Sequence, residues 1–326
     1  MRVTPPTLRQ LGKSSLQVST VAMGCWPVTG MTSLDVNEAD SLATLEAAAN
    51  AGINFFDTAF CYGLKGESER LIHRALGSRR DEIVLATKCG IAWNGDGSRV
   101  VDGSPATIRK QCELSLQRLG TDRIDLYYLH APDPTVPIAE SAGSIADLIK
   151  AGKVRYAGAS NCQQDQLKTF HHHCRLTAIQ PHYNMLQREI ENDILPWAQE
   201  QQIGVATYWP LLKGLLAGHL PRDFVFQPGD GRAKYPMFQG EEWELNQDFL
   251  DTLRTLAANS QRSVAEIVVN WTIHRQGITS AICGAKRPYQ IIESAQAMTF
   301  ELSPAEYQII DQALEQRGQP KSTAAV

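Results

Sequence analysis

From residue 18 onward, short apolar runs alternate with longer stretches in which apolar residues recur every three or four positions, the patterns of buried strands and amphipathic helices. The predicted strands are 18–23, 53–56, 83–87, 126–129, 154–159, 178–180, 204–208 and 280–283, each followed by a helical stretch. A hairpin over 8–19, turning at Gly12-Lys13-Ser14, precedes the first of them. The helices carry their own punctuation. Ser104-Pro105 predicts an N-cap with proline in the first turn, and Gly120 a left-handed end. Ser263 with Glu266, and Ser303 with Glu306, have capping-box spacing. Gly52 and Gly152 are expected to end helices over 38–51 and 138–151.

Eight strands in sustained βα alternation, with no linker between them, predict an α/β fold: a single (β/α)8 TIM barrel with an N-terminal β-hairpin and long rim loops, residues 1–326 forming one domain. Segments 92–102 and 212–246 exceed what a barrel connection needs. Both follow strands, so both belong on the catalytic rim, and the second, rich in proline and glycine, is the expected lid.

That topology gives meaning to four polar residues. Asp57, Lys88 and His130 sit at or just past the ends of three successive apolar runs, and Tyr62 lies five residues beyond Asp57. In a parallel barrel these ends share one rim, so four titratable groups converge on one cleft. An ammonium beside a phenol lowers its pKa, and Lys88 is expected to do this for Tyr62, with Asp57 holding Lys88 and His130 hydrogen-bonding a substrate oxygen or relaying its proton. This set suits proton transfer to a carbonyl oxygen and lacks a nucleophile with an adjacent base. Carbonyl reduction also needs hydride, which side chains cannot supply, so a nicotinamide or flavin cofactor is implied. No G-x-G-x-x-G follows the first strand, which disfavours a dinucleotide-binding domain of that type. Polar groups at later strand ends, Ser160, Asn161 and Gln180, with the aromatic Tyr208, match a flat ring bearing an amide.

Composition narrows the alternatives. With 43% hydrophobic and 20% charged residues and a net charge of −4, the chain has material for a large core but no basic field for nucleic acid or anionic lipid. Residues 1–10 lack a signal-peptide core, and no apolar run reaches the roughly 18 residues of a spanning helix, so a cytoplasmic location is expected. The seven cysteines include no Cys-x-x-Cys pair and are expected to be reduced; Cys61 and Cys89 adjoin proposed catalytic residues and are either packed or reactive. His171, His172 and His173, consecutive on a helix, point around it rather than converging, and no metal site is expected.

The stretch Asn54-Phe-Phe-Asp57-Thr-Ala-Phe-Cys-Tyr62-Gly63 resembles the signature of the aldo-keto reductases. So do Val84-Leu-Ala-Thr-Lys88, Asp125-Leu-Tyr-Tyr-Leu-His130 and the opening Leu11-Gly12, Leu16-x-Val18-Ser19 and Met23-Gly24. The resemblance spans nearly the whole chain. It implies that Tyr62 is the general acid in reduction and the base in oxidation, tuned by Lys88 and Asp57, with His130 orienting the carbonyl. It implies that Ser160, Asn161 and Gln180 hold the nicotinamide carboxamide while Tyr208 stacks on the ring. Gly284, Lys286, Arg287, Gln290, Glu293 and Ser294 are similar to the family's adenosine site, which favours NADPH/NADP+ over NADH. Further cofactor contacts are expected from Gly24, Cys25 and Trp26 after the first strand, and from Pro210, Leu211, Lys213, Gly214 and Arg232 after the seventh, with Lys213, Arg232 and Lys234 near the pyrophosphate. Trp209 stands where many members have serine, and Ser294 where asparagine is common.

The reading is therefore an NADPH-dependent reductase of aldehydes or ketones. The alternatives are an NAD(P)-dependent sugar or alcohol dehydrogenase using the same residues in reverse, and a cofactor-binding regulatory subunit, which the short N-terminal region disfavours. Trp26 and Trp93 are expected to wall the substrate cleft beside Tyr62 and His130, or else to pack in the core. With no clustered cation foreseen near Trp93, the expected substrate is an uncharged, partly apolar carbonyl compound. The oligomeric state is left open.

Overall fold

The computed structural model describes residues 8–31 and 34–320; the part of the signal-peptide reading that rests on residues 1–7 lies outside the described residues. A two-stranded antiparallel hairpin, β1 (Leu8–Gln10) and β2 (Gln17–Ser19), leads into β3 (Val21–Gly24). There follow α1 (Glu38–Asn50), β4 (Phe55–Asp57), α2 (Glu67–Leu76), β5 (Val84–Cys89), β6 (Ile91–Trp93), β7 (Arg99–Val101), α3 (Pro105–Leu119), β8 (Ile124–Leu129), α4 (Ile138–Lys150), β9 (Val154–Ser160), α5 (Gln164–His173), β10 (Leu176–Gln180), α6 (Ile194–Gln201), β11 (Gly204–Tyr208), α7 (Gly240–Ser260), α8 (Val264–Ile273), β12 (Ser280–Gly284), α9 (Pro288–Gln296) and α10 (Pro304–Arg317). Strands β3, β4, β5, β8, β9, β10, β11 and β12 pair in parallel in that order, and β12 closes onto β3.

The barrel closes because its strands bury both faces, which is why they appear in the sequence as continuous apolar runs. Inward-facing Ala22, Phe55, Val84, Ala86, Leu126, Tyr128, Ala178, Ala206 and Ile282 fill the interior, and Leu11, Leu16 and Val18 from the hairpin plug its lower end. Gly158 makes room for the Tyr128 ring, since a Cβ there would meet that ring at 2.3 Å. Outward-facing residues such as Tyr127 and Leu129 pack under the helices.

The expected caps are present at Ser104, Gly120, Ser263 and Ser303. Three expectations change. The strand at 18–23 is two elements: the chain leaves the hairpin at Ser19 and enters the barrel at Val21. The loop at 92–102 contains a second antiparallel hairpin, β6 with β7. The long rim loop stops at Gln239, because α7 starts at Gly240 with Glu241 and Glu242 in its first turn, where acidic side chains complement the helix dipole. Asn246 is thus a core residue of α7, hydrogen-bonded to the Met237 carbonyl and to Arg317, whose guanidinium also meets Glu242 at 2.5 Å.

Candidate active site

The C-terminal ends of the barrel strands assemble the four candidate residues. Asp57 is the last residue of β4, Lys88 the penultimate residue of β5, and His130 follows β8 directly. The chain after β4 keeps bonding to β5, with Thr58 N–H donating to Ala86 O and Phe60 N–H to Lys88 O. A turn closed by Tyr62 N–H to Ala59 O then swings the phenol back over the lysine.

Lys88 Nζ, fully buried, donates to Asp57 Oδ2 at 2.6 Å, to the Thr58 carbonyl at 2.8 Å and to Tyr62 Oη at 3.3 Å. Gln180 Nε2 occupies the other Asp57 oxygen at 2.7 Å. The Tyr62 ring lies between Trp26, edge-on at 4.9 Å between centroids, and His130 at 5.8 Å. Cys61 Sγ lies 3.5 Å from His130 Nδ1, and Asn161 Nδ2 donates to the His130 carbonyl.

Burial sets the protonation states. It pushes the Tyr62 phenol well above its usual range, and the Asp57 carboxylate pushes the same way. The expectation that Lys88 lowers this pKa is corrected: the ammonium's two shorter bonds go to Asp57 and Thr58, which answer most of its charge. Tyr62 is therefore held protonated, the state a proton donor needs. Burial, followed by the Lys88 and Arg99 charges, drives His130 well below the usual imidazole range, so the ring is neutral and serves as a hydrogen-bonding group. Burial raises the Cys61 thiol to about 12, which keeps it an S–H group. With that thiol as donor to Nδ1, the imidazole carries its own proton on Nε2. Asp57 is raised by burial and pulled back by Lys88 and Gln180.

Of the residues expected around the nicotinamide, Ser160 and Gln180 are buried; Ser160 Oγ donates to the Gln180 carbonyl. Asn161 adopts a left-handed conformation (φ 56°) and accepts from Tyr208 Oη at 2.7 Å. The half-buried Tyr208 ring with this amide and hydroxyl set fits a flat, amide-bearing ring. Trp209, Leu212 and Lys213 also have positive φ, so the turn after β11 concentrates backbone strain at the rim, as functional sites do. Gly24 and Gly284 are paired neighbours in β3 and β12; a Cβ would meet Ile282 or Pro27, respectively, at 2.9 Å. Cys25 is buried with its N–H on the Asp57 carbonyl. Pro210 is buried, and the half-buried Leu211 packs against the apolar cluster that contains Cys25.

The cations are engaged. Lys213 lies between the rings of Trp209 (3.7 Å) and Tyr235 (4.2 Å), and burial lowers it to about 8. Arg232, beside Gly214, is paired with Asp230. Lys286 and Arg287 precede α9 and donate to the carbonyls of Leu34 and Asp35, and Arg287 also pairs with Asp40. Gln290 Oε1 accepts from Lys286 N–H, Ser294 Oγ donates to the Gln290 carbonyl, and Glu293 lies 3.9 Å from His219.

Trp93 packs beside Tyr62, its indole donating to the Cys61 carbonyl at 2.7 Å. Sequence reasoning missed its neighbour. Arg99 is directly opposite Trp93 across the β6–β7 hairpin, so the premise of no cation near Trp93 is corrected. It also missed Thr58, whose carbonyl holds Lys88, and the Gln180–Asp57 bond. All seven cysteines are buried and free. His171 Nδ1 accepts from Leu176 N–H, a structural use, and among the described residues no cluster of three or more metal-ligating side chains is present. Among the same residues, no helix is long and apolar enough to cross a membrane.

The pattern of the Aldo/keto reductase family matches residues 20–315. An aldo-keto reductase of Bacillus subtilis, YhdN, is 33% identical over 94% of this chain and 92% of its own length. An NADH-specific methylglyoxal reductase of Escherichia coli is 34% identical over 91% of this chain and 94% of its own. A solved glycerol dehydrogenase from Gluconobacter oxydans superposes with a TM-score of 0.89 at 33% identity, covering 99% of this chain and 100% of that one. A buried lysine and carboxylate with a half-buried phenol and imidazole at one barrel rim and these full-length likenesses agree: the chain belongs to the aldo/keto reductase family and is an NAD(P)-dependent oxidoreductase that reduces carbonyl groups.

Proposed function

We propose that this chain, acting as one barrel domain, reduces an aldehyde or ketone with NADPH. The observation that carries the reading is the contact chain Asp57–Lys88–Tyr62 beside a neutral His130. The nicotinamide, when bound, supplies hydride to the carbonyl carbon. Tyr62 gives its proton to the carbonyl oxygen, His130 orients that oxygen by a hydrogen bond, and Lys88 stabilises the phenolate left behind. Trp26 and Trp93 exclude water from the cleft. Purified protein is expected to consume NADPH in the presence of nitrobenzaldehyde; no consumption with any reactive aldehyde would sink the proposal.

Preference for NADPH over NADH is supported by Lys286 and Arg287 just before α9; the carbonyl that Lys286 now holds is a weaker partner than a phosphate ester, and Arg287 holds a carbonyl and, at 3.4 Å, the Asp40 carboxylate. Lys286→Met is expected to raise the Kd for NADP+ on the order of tenfold and the Kd for NAD+ far less, because NAD+ has no 2′-phosphate for the lysine to hold. Equal affinity of the unaltered protein for both cofactors would remove the preference. The reverse reaction, oxidation of a polyol or other alcohol, is favoured as a second reading by the likeness to a glycerol dehydrogenase; rates measured in both directions on paired alcohols and carbonyls decide between them.

Residues 213–239 are proposed as a lid over the cofactor. His219 Nε2 lies 3.9 Å from Glu293 Oε1 of α9, so the loop already reaches from the end of β11 toward α9. Saturating NADPH is expected to slow tryptic cleavage at Lys213, Arg232 and Lys234. Identical digestion with and without cofactor would defeat the lid.

A further inference from the structure

The β6–β7 hairpin stands on the rim beside Tyr62. Its register pairs Ile91 with Val101 and Trp93 with Arg99. Directly opposed residues of an antiparallel pair share a face, as do residues two apart on one strand. Ile91 is clustered with Ala59 and Cys61, and Tyr62, Trp93 and Val101 pack against that cluster. The face that carries Ile91, Val101 and Trp93 therefore also carries Arg99, toward the tip of the hairpin and next to the indole.

Arg99 is exposed, and among the described residues no ion pair uses its guanidinium. The nearby acids are committed elsewhere. Asp96 accepts from Ser98 N–H within the turn, Asp102 accepts from Thr107 and Ser104, and Asp57 holds Lys88. The charge of Arg99 nevertheless reaches Cys61, His130 and Tyr208, three groups from three different strand ends around Tyr62. Inside the cleft, Lys88 and Asp57 offset each other and His130 is neutral. An unpaired positive charge thus stands over a cleft with no net charge of its own.

We infer that Arg99 selects carbonyl substrates that carry an anionic group, a carboxylate or a phosphate, near the carbonyl. The inference rests on the reductase reading and adds the substrate class. A guanidinium presents a fork of donors that matches either anion. With the anion held there and the indole of Trp93 against the intervening carbons, the carbonyl is presented toward Tyr62 and His130. An uncharged substrate would use the indole alone.

Two matched pairs test this: benzaldehyde against carboxybenzaldehyde, and glyceraldehyde against its phosphate ester, with the full chain and reduced cofactor. The unaltered enzyme is expected to prefer the anionic member of at least one pair, less so at high salt. Arg99→Met is expected to lower the anionic-to-neutral ratio of kcat/KM on the order of tenfold, chiefly through KM, and Arg99→Lys to restore part of it. The pair that responds identifies the anion. An arginine that only stabilises the hairpin would lower both members alike, and an unchanged ratio overturns the inference. A preference for the neutral member in both pairs does so too. Turnover of neutral aldehydes through Tyr62 with no response at Arg99 leaves the reductase reading standing, whereas no turnover of any of the four compounds overturns that reading and this inference together.

Discussion

Tyr62→Phe is expected to reduce kcat for carbonyl reduction by about 10²–10⁴-fold, the usual contribution of a positioned general acid. The substitution removes one oxygen and keeps the ring, so the edge contacts with Trp26 and His130 remain and the fold is undisturbed. Nothing nearby replaces the lost proton. His130 is neutral because burial and the charges of Lys88 and Arg99 disfavour imidazolium. Lys88 is buried behind the phenol and tied to Asp57 and Thr58. Cofactor affinity, followed by fluorescence titration, is expected to persist, which separates lost chemistry from lost binding. A variant retaining turnover within tenfold of the parent would show that another group protonates the oxygen.

The strand ends that carry this site were legible because parallel strands buried on both faces stand out as apolar runs, and the polar residue ending each run marks the rim. Asp57, Gln180 and Tyr208 are the last residues of β4, β10 and β11, and the expected runs end on or beside them. Thr20, a single residue between two β elements, was not legible as a break, since one polar position inside an apolar run has no periodicity of its own. The β6–β7 hairpin did have a signal: Asn94-Gly95 and Asp96-Gly97 are turn dipeptides. Pairing the flanks of that turn would have set Arg99 opposite Trp93. Glu241 and Glu242 likewise marked the start of α7. The protonation states were beyond reach. Spacing places Lys88 near Tyr62, but which oxygens take the ammonium's shortest bonds depends on packing that distant segments supply, Gln180 among them.

That packing makes Lys88→Met the second large effect, on stability as well as activity. Methionine keeps the apolar stem and removes the ammonium, leaving the Asp57 carboxyl 2% exposed with, among the described residues, only the Gln180 amide to hold it. Breaking a buried ion pair in this way costs about 3–5 kcal/mol. The cost must depend on pH. Burial already raises Asp57, and Lys88 is the main influence pulling it back, so without the lysine its folded pKa climbs further. A carboxyl whose folded pKa exceeds its unfolded one favours folding below the unfolded value and loses that contribution as pH rises through the folded value. The deficit of Lys88→Met relative to the parent is therefore greatest at neutral pH and shrinks as Asp57 is protonated. Denaturant titrations at about pH 8 and about pH 5, the second nearer the ordinary carboxyl range, check this; an equal deficit at both would show that lost packing, not an unpaired charge, causes it. Adding Asp57→Asn to Lys88→Met removes the stranded carboxylate and is expected to recover part of the stability but none of the turnover. Stability needs only the absence of a lone buried charge, whereas proton transfer from Tyr62 needs the ammonium itself beside the phenolate.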